Sequence, residues 1–254
     1  EKEKNRFVGP EVRGKTLAVI GLGAIGALVA NIAARGLGMK VAGFDPYISV
    51  ARAWSLSSNV AHAGSLDEAI KDADYITVHV PLTAENKGML GAELFKKVKK
   101  GVRLLNYSRA GLADIPALKA ALADGTVACY VTDFPTEDLI GTEHVICIPH
   151  LGASTPESEE NCAVMAAQQL RDYLEKGIIH NSVNLPEVEL GAPEGVRIEV
   201  IHRNQPGVVS GVSALLAGRG INISSMVNKS RGNAAVSVLD ISQEVDDSMM
   251  VALS

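Results

Sequence analysis

The chain has little cysteine, few aromatic residues and no marked excess of either charge. Cys129, Cys147 and Cys162 are its only cysteines, odd in number and without metal-ligand spacing. That argues against a disulfide framework and against a bound metal. With no leader-like or bilayer-length apolar run, it points to a reduced, cytoplasmic setting. Aromatic residues make up 4% of the chain, so the core has to be built mainly from Ala, Val, Ile and Leu. Lys and Arg number 24 against 29 Asp and Glu, a net charge of -5, which gives no general attraction for nucleic acid or an anionic membrane. The one dense basic run, Lys96, Lys97, Lys99 and Lys100, closes a predicted helix over 92–100, where cations complement the helix dipole. The 254 residues suit one large domain, or a medium domain plus a small one.

What is present is glycine at an informative spacing. An apolar run, 17–20, breaks into Gly21-Leu22-Gly23-Ala24-Ile25-Gly26. A buried strand is predicted before this turn and a helix, 27–35, after it. Gly21 permits the tight turn, Gly23 lets backbone approach a pyrophosphate, and Gly26 allows close packing of helix on strand. Amides at the helix start then face the phosphates. A second strand, Lys40–Phe44, ends in Asp45, nineteen residues past Gly26. A carboxylate there accepts ribose hydroxyls and repels a 2′-phosphate, which favours NAD over NADP.

Strand patterns at 16–20, 40–44, 75–79, 102–106, 127–133 and 144–148 alternate with helical ones at 27–35, 65–71, 91–97 and 115–124. The alternation predicts an α/β fold, a Rossmann-type doubly wound parallel sheet with ligands at the carboxyl ends of its strands. Residues rich in chemistry fall at those ends: Asp45, His79-Val80-Pro81, Asn106 to Arg109, Asp133 and Pro149-His150. A long helix follows, capped by Thr155 and opened by Pro156. Beyond a linker at 184–195, the order is strand 196–202, helix 207–220, strands 222–229 and 234–241, and a helix from Asp246. This is a small, truncated ferredoxin-like α+β unit lacking its last strand, so strand 196–202 is expected as an unprotected edge. The predicted domains are 1–185 and 195–254.

Arg109 and His150 carry the reactive chemistry. A guanidinium can grip a carboxylate through two parallel hydrogen bonds and so hold a 2-hydroxy acid for hydride transfer. His150 is placed to take the hydroxyl proton while hydride leaves the same carbon, and imidazoles titrate near neutral pH, which suits that task. Either residue alone reads as an ordinary polar group. Beside a dinucleotide turn, the two read as a site.

With these motifs the chain resembles the D-isomer-specific 2-hydroxyacid dehydrogenases, and among them those carrying a C-terminal ACT domain. The resemblance covers nearly the whole chain. It rests on the turn from Gly21 to Gly26, Asp45-Pro46, His79-Val80-Pro81-Leu82-Thr83, Asn106-Tyr107-Ser108-Arg109 and Pro149-His150-Leu151-Gly152-Ala153-Ser154-Thr155. It implies Arg109 as the substrate-orienting residue and His150 as acid/base. It also implies NAD contacts from Ala24, Ile25, Asp45, Pro46, Pro81, Tyr107, Ser108, Gly152 and Ala153. The family sets a Glu against the histidine in an Asp-x-Phe-x-x-Glu stretch whose Asp meets the nicotinamide. In Thr132-Asp133-Phe134-Pro135-Thr136-Glu137, aligned on Phe134, Glu137 takes the catalytic place. Thr132 then falls on the Asp position, and Asp133 is displaced by one. Either Asp133 serves the nicotinamide through a local shift, or that contact differs. Ala110 stands where the family has Gly and is expected to be tolerated.

The implied activity is NAD-dependent oxidation of 3-phospho-D-glycerate to 3-phosphohydroxypyruvate, entering serine biosynthesis. Another D-2-hydroxy acid substrate, or a non-catalytic NAD- or amino-acid-sensing protein of the same fold, stays open as the alternative. In serine-regulated members, residues matching His202, Asn204 and Asn222 hold L-serine across two ACT domains. L-serine is thus the implied effector and a homo-oligomer, dimer or tetramer, the implied assembly. The family also carries an N-terminal lobe, toward which the long helix would return. The sequence therefore reads as a fragment with both ends, Glu1 and Ser254, cut, and turnover by these residues alone is not expected.

Overall fold

Short aliphatic runs set the first sheet. The computed structural model describes residues 8–253, and Glu1 and Ser254 fall outside them. The strands are β1 (Thr16–Ile20), β2 (Lys40–Phe44), β3 (Val60–His62), β4 (Tyr75–Val78), β5 (Val102–Asn106), β6 (Val127–Thr132) and β7 (Val145–Cys147). They lie in the order β3-β2-β1-β4-β5-β6-β7, every neighbouring pair parallel. Parallel neighbours need crossovers. Helices α1 (Ala24–Arg35), α2 (Val50–Trp54), α3 (Leu66–Ile70), α4 (Ala92–Phe95) and α5 (Ile115–Ala123) fall in those connections. A parallel sheet is covered on both faces, so its strands read as continuous apolar runs. In β1, Leu17 and Val19 pack toward Ala30 and Ala33 of α1, while Ala18 and Ile20 join Ile70, Leu104 and Leu118 on the other side. The winding reverses between β1 and β4, which opens a crevice at the carboxyl ends of those two strands.

The Rossmann-type reading holds, with local corrections. β3 is three residues long and α2 buries none of its residues, so neither carries an apolar period that a sequence pattern could register. The lysine-rich run does not close a helix, because α4 stops at Phe95. Lys97 and Lys99 instead pair with Asp67 at 2.8 Å and Asp74 at 2.7 Å.

The chain divides into two compact units, 1–152 and 153–254. The long helix α6 (Pro156–Lys176) therefore falls in the second unit, not in a first domain reaching residue 185. Its start follows the predicted chemistry, the Thr155 hydroxyl accepting the Ser158 N–H, and Gly177 closes the helix at φ 63. A three-stranded antiparallel sheet follows, formed by β8 (Val196–Arg203), β9 (Ile223–Arg231) and β10 (Ala234–Ile241) in the order β8-β10-β9. Helices α7 (Val208–Gly218) and α8 (Asp247–Leu253) cover one face through Val212, Leu216 and Met249. Among the described residues β8 pairs only with β10, leaving its other edge open as expected. The β9–β10 turn is tighter than predicted, with only Gly232 and Asn233 between the strands.

Two contacts dock α6 on this sheet and explain the domain division. The Tyr173 hydroxyl donates to Glu199 at 3.1 Å, and Arg197 donates to the Lys176 carbonyl at 2.6 Å. Arg197, with its side chain 8% exposed, also grips Asp240 through Nε–Oδ1 at 2.7 Å and Nη2–Oδ2 at 2.8 Å. That guanidinium holds the Asp240 carboxyl below the usual carboxylate range. Arg197→Met leaves a buried carboxylate unpaired, so it is expected to cost the second unit about 3–5 kcal/mol. Urea unfolding of the whole chain reads this as an earlier midpoint for that unit. An unchanged midpoint contradicts the brace.

Candidate active site

Two glycines of the turn are demanded by the protein's own atoms, and the third is not. Gly21 has φ 89, and a Cβ on it would meet the His79 carbonyl oxygen at 2.6 Å. A Cβ on Gly26 would overlap the Gly21 carbonyl. Gly23, at φ -66 and ψ -157, has a backbone open to any residue, and a Cβ there would meet nothing within 4 Å. Its glycine fits a ligand that hugs the backbone, as a pyrophosphate does at a helix start. Ala24 and Ile25 open α1 next to it, both exposed.

Asp45 has a structural duty as well. Its Oδ2 accepts the Leu22 N–H at 2.8 Å and its Oδ1 the Tyr47 N–H at 2.9 Å. The carboxylate thus pins the glycine turn to the end of β2, which the sequence pattern did not suggest. Each oxygen keeps a second lone pair for ribose hydroxyls. Pro46 follows β2, and Pro81 follows β4 at the same sheet edge.

The loop after β5 presents Tyr107, Ser108 and Arg109. Ser108, buried, donates its hydroxyl to the Val78 carbonyl at 2.8 Å and ties the loop to β4. Arg109 is exposed, with Nη1 donating to the Ser108 carbonyl at 2.7 Å. Ala110 starts a short 3-10 turn (Ala110–Leu112) without entering the left-handed region, so its methyl is accommodated. The tight position is Gly111, where a Cβ would lie 2.8 Å from Leu82.

The histidine's partner is the main correction. β6 ends at Thr132, one residue earlier than predicted, so Asp133 leaves the sheet and turns to His150. Asp133 Oδ2 meets His150 Nδ1 at 2.8 Å, whereas Glu137 stands exposed in the following loop. Asp133 is 8% exposed and the His150 side chain 59%. A carboxylate can only accept, so Nδ1 carries a ring proton, and the neutral form of this tautomer presents its lone pair at Nε2. The Phe134 ring lies 4.6 Å from the imidazole and inclined at 45°, steadying its plane. Asp133 Oδ1 is buried and has no hydrogen-bond partner among the described residues, which leaves an acceptor for an incoming donor. Burial and the charge of Asp133 push the Tyr107 hydroxyl up. Gly152 and Ala153 are exposed and flank the division between the two units.

His202, Asn204 and Asn222 do not meet within one copy. β8 and β9 both run antiparallel to β10, hence parallel to each other. His202 and Asn204 lie at the end of β8 and Asn222 before the start of β9, roughly 25 Å apart at about 3.3 Å per residue. His202 is also engaged at both ring nitrogens, by the Arg203 carbonyl at 2.9 Å and by Ser237 Oγ at 3.0 Å. Asn204 Nδ2 donates to the Gly232 carbonyl at 3.2 Å. Among the described residues, no cluster of three or more His, Cys, Asp or Glu could hold a metal, and no helix is long and apolar enough to cross a membrane.

Residues 1–152 match the family model for the NAD binding domain of D-isomer specific 2-hydroxyacid dehydrogenases, and residues 198–253 match an AHAS small subunit-like ACT domain. The chain is 42% identical to D-3-phosphoglycerate dehydrogenase 2, chloroplastic, of Arabidopsis thaliana over 199 residues, 76% of this chain and 31% of that protein. It is 34% identical to D-3-phosphoglycerate dehydrogenase of Escherichia coli over 247 residues, 93% of this chain and 59% of that protein. Among solved structures, NAD+-bound 3-phosphoglycerate dehydrogenase of Entamoeba histolytica matches with a TM-score of 0.59 at 31% identity. The match covers 70% of this chain and 57% of that one. The chain thus spans 31% to 59% of the length of these two curated relatives.

Gly23→Ala is expected to leave stability within about 0.5 kcal/mol and to weaken NADH binding by about tenfold or more. Gly26→Ala is expected to lose both. Fluorescence titration beside urea unfolding separates the two, and normal NADH binding by Gly23→Ala contradicts the phosphate reading. Burial also holds His79 below its ordinary 6.5, so the folded chain favours the neutral ring. The stability this contributes is complete above that value and is lost as pH falls below it, because the unfolded chain takes up the extra proton. His79→Gln is expected to flatten the fall in thermal midpoint between about pH 7 and pH 5. An unaltered slope would contradict this role for His79.

Proposed function

The chain belongs to the D-isomer-specific 2-hydroxyacid dehydrogenases and carries their NAD-binding domain, and from that premise we propose that it oxidises 3-phospho-D-glycerate to 3-phosphohydroxypyruvate. The observation that carries the enzymatic reading is the Asp133–His150 hydrogen bond at the sheet edge where Arg109 also emerges. Relatives named D-3-phosphoglycerate dehydrogenase support the substrate, and the ACT match supports a chain that also senses an amino acid.

In this reading Arg109 clasps the substrate carboxylate and orients the hydroxyl-bearing carbon. His150 Nε2 takes the hydroxyl proton as the carbon–hydrogen bond breaks, and Asp133 stabilises the imidazolium that forms. Bound NAD supplies the acceptor for the hydride. The turn from Gly21 to Gly26, Asp45, Pro46, Pro81, Tyr107, Ser108, Gly152 and Ala153 would hold it. Asp133 Oδ1, buried and unpartnered, suits the amide donor of the nicotinamide. Three free cysteines fit a reducing compartment such as the cytoplasm.

L-serine is the effector we assign to the second unit. Because His202 and Asn204 stand at the opposite end of the sheet from Asn222, a site using all three needs two copies in antiparallel register. The proposed assembly is therefore at least a homodimer, and serine would have to displace hydrogen bonds that His202 makes within its own sheet.

Kinetics of the full-length protein test the catalytic assignment. Asp133→Asn is expected to lower kcat by about 10²- to 10⁴-fold, and His150→Gln and Arg109→Ala at least as much. Glu137→Gln is expected to stay within about twofold. Equal losses in Asp133→Asn and Glu137→Gln, or a loss in Glu137→Gln alone, contradict the assignment.

A further inference from the structure

We propose that Asn106 and Tyr130 are positioning residues that hold Arg109 in register with the Asp133–His150 pair; the inference rests on the roles proposed above for Arg109 and His150. Asn106 is the last residue of β5 and is completely buried. The other inward positions of that strand, Val102 and Leu104, are apolar, so a polar side chain there requires a reason. A buried amide is costly unless its donors and acceptors are satisfied. Here each is. Asn106 Oδ1 accepts the N–H groups of Ser108 at 3.1 Å and Arg109 at 3.4 Å. Its Nδ2 donates to the Arg109 carbonyl at 2.9 Å and the Tyr130 hydroxyl at 3.0 Å. Arg109 is thus gripped at both of its main-chain polar groups by one side chain.

The fourth bond links that loop to the other half of the site. Tyr130, 1% exposed, lies on β6 three residues before Asp133. Burial pushes its hydroxyl up, so the phenol stays protonated, and Thr132 faces the same hydroxyl. Thr132 is itself completely buried, and its Oγ1 accepts the Phe134 N–H at 3.1 Å. That bond turns the chain out of the sheet on both sides of Asp133, whose Oδ2 holds His150, while the Phe134 ring packs on the imidazole. A buried polar path therefore runs from the Arg109 backbone through Asn106, Tyr130 and Thr132 to the segment that orients His150. In such a network the members are worth more together than their separate deletions suggest. Phenylalanine at 130 would fill the same space and lose only this link. Aspartate at 106 would keep the acceptor and lose both donations.

A double-mutant cycle on the full-length protein tests this. Asn106→Ala and Tyr130→Phe are each made alone and in an Arg109→Ala background. The readouts are KM and kcat for the hydroxy acid, and the Kd of oxalate for the NADH complex as a carboxylate probe. Each single variant is expected to raise KM and the oxalate Kd by about tenfold, with kcat changed less than about threefold and NADH affinity within about twofold. In the Arg109→Ala background the same substitutions are expected to shift the oxalate Kd by less than about twofold, because the group they position is gone. Equal shifts with and without Arg109, or a parallel loss of NADH affinity, overturn the proposal. If Asn106→Ala does not fold, Tyr130→Phe carries the cycle alone. Amide exchange at Ser108 and Arg109 gives a readout independent of turnover, and it should quicken in both variants while the rest of β5 stays protected. If Arg109→Ala itself leaves KM and oxalate binding untouched, the functional reading fails. The exchange at Ser108 and Arg109 then decides whether Asn106 and Tyr130 hold the loop.

Discussion

All seven strands of the first sheet run the same way, and every group in the site depends on that constraint. Parallel strands deliver their carboxyl ends to one edge, so residues far apart in sequence, Asp45, Arg109, Asp133 and His150, emerge on the same side. The constraint has a packing condition. α1 has to lie close against β1, and it does so through Gly26, Ala27, Ala30 and Ala33, all buried. A larger residue at Gly26 would strike the Gly21 carbonyl and lift the helix start off the turn. Asp45 closes the arrangement from β2 by accepting the Leu22 N–H. The acid proposed to meet the cofactor ribose is thus also part of the scaffold that shapes the glycine turn.

The scaffold and the chemical end groups were legible in the sequence because their signals are local. Apolar runs of four to six residues ending in Gly, Asp, Asn-Tyr-Ser-Arg or Pro-His mark strands and what hangs from them. The partner of His150 was not legible in the same way. Counting from Phe134 assigns the role to Glu137, but which acid reaches the ring depends on where β6 lets go of the sheet. That point is set by the Thr132 hydroxyl and the Phe134 N–H, and a one-residue change there swaps the inward and outward side chains. Asn106 was visible as part of a motif, while its four hydrogen bonds involve a tyrosine 24 residues away that no local pattern connects to it.

The allegiance of α6 was hidden for a related reason. The helix buries none of its own residues, so its amphipathic pattern says little about where it docks. Its position comes from Tyr173, which donates to Glu199 of β8, and from Arg197 of β8, which reaches the helix's last carbonyl and an aspartate in β10. Arg197 therefore makes the helix and the small sheet one body, and the division between the units falls two residues after His150.

We propose that Asp133 sets the tautomer of His150 and leaves Nε2 as the base. Nitrogen-15 NMR of the imidazole at neutral pH tests it most directly. A proton on Nδ1, shifted downfield by its carboxylate partner, and an unprotonated Nε2 are expected. Glu137→Gln is expected to leave this signature intact and Asp133→Asn to remove it. A ring protonated at Nε2, or a signature lost in Glu137→Gln and kept in Asp133→Asn, would contradict it.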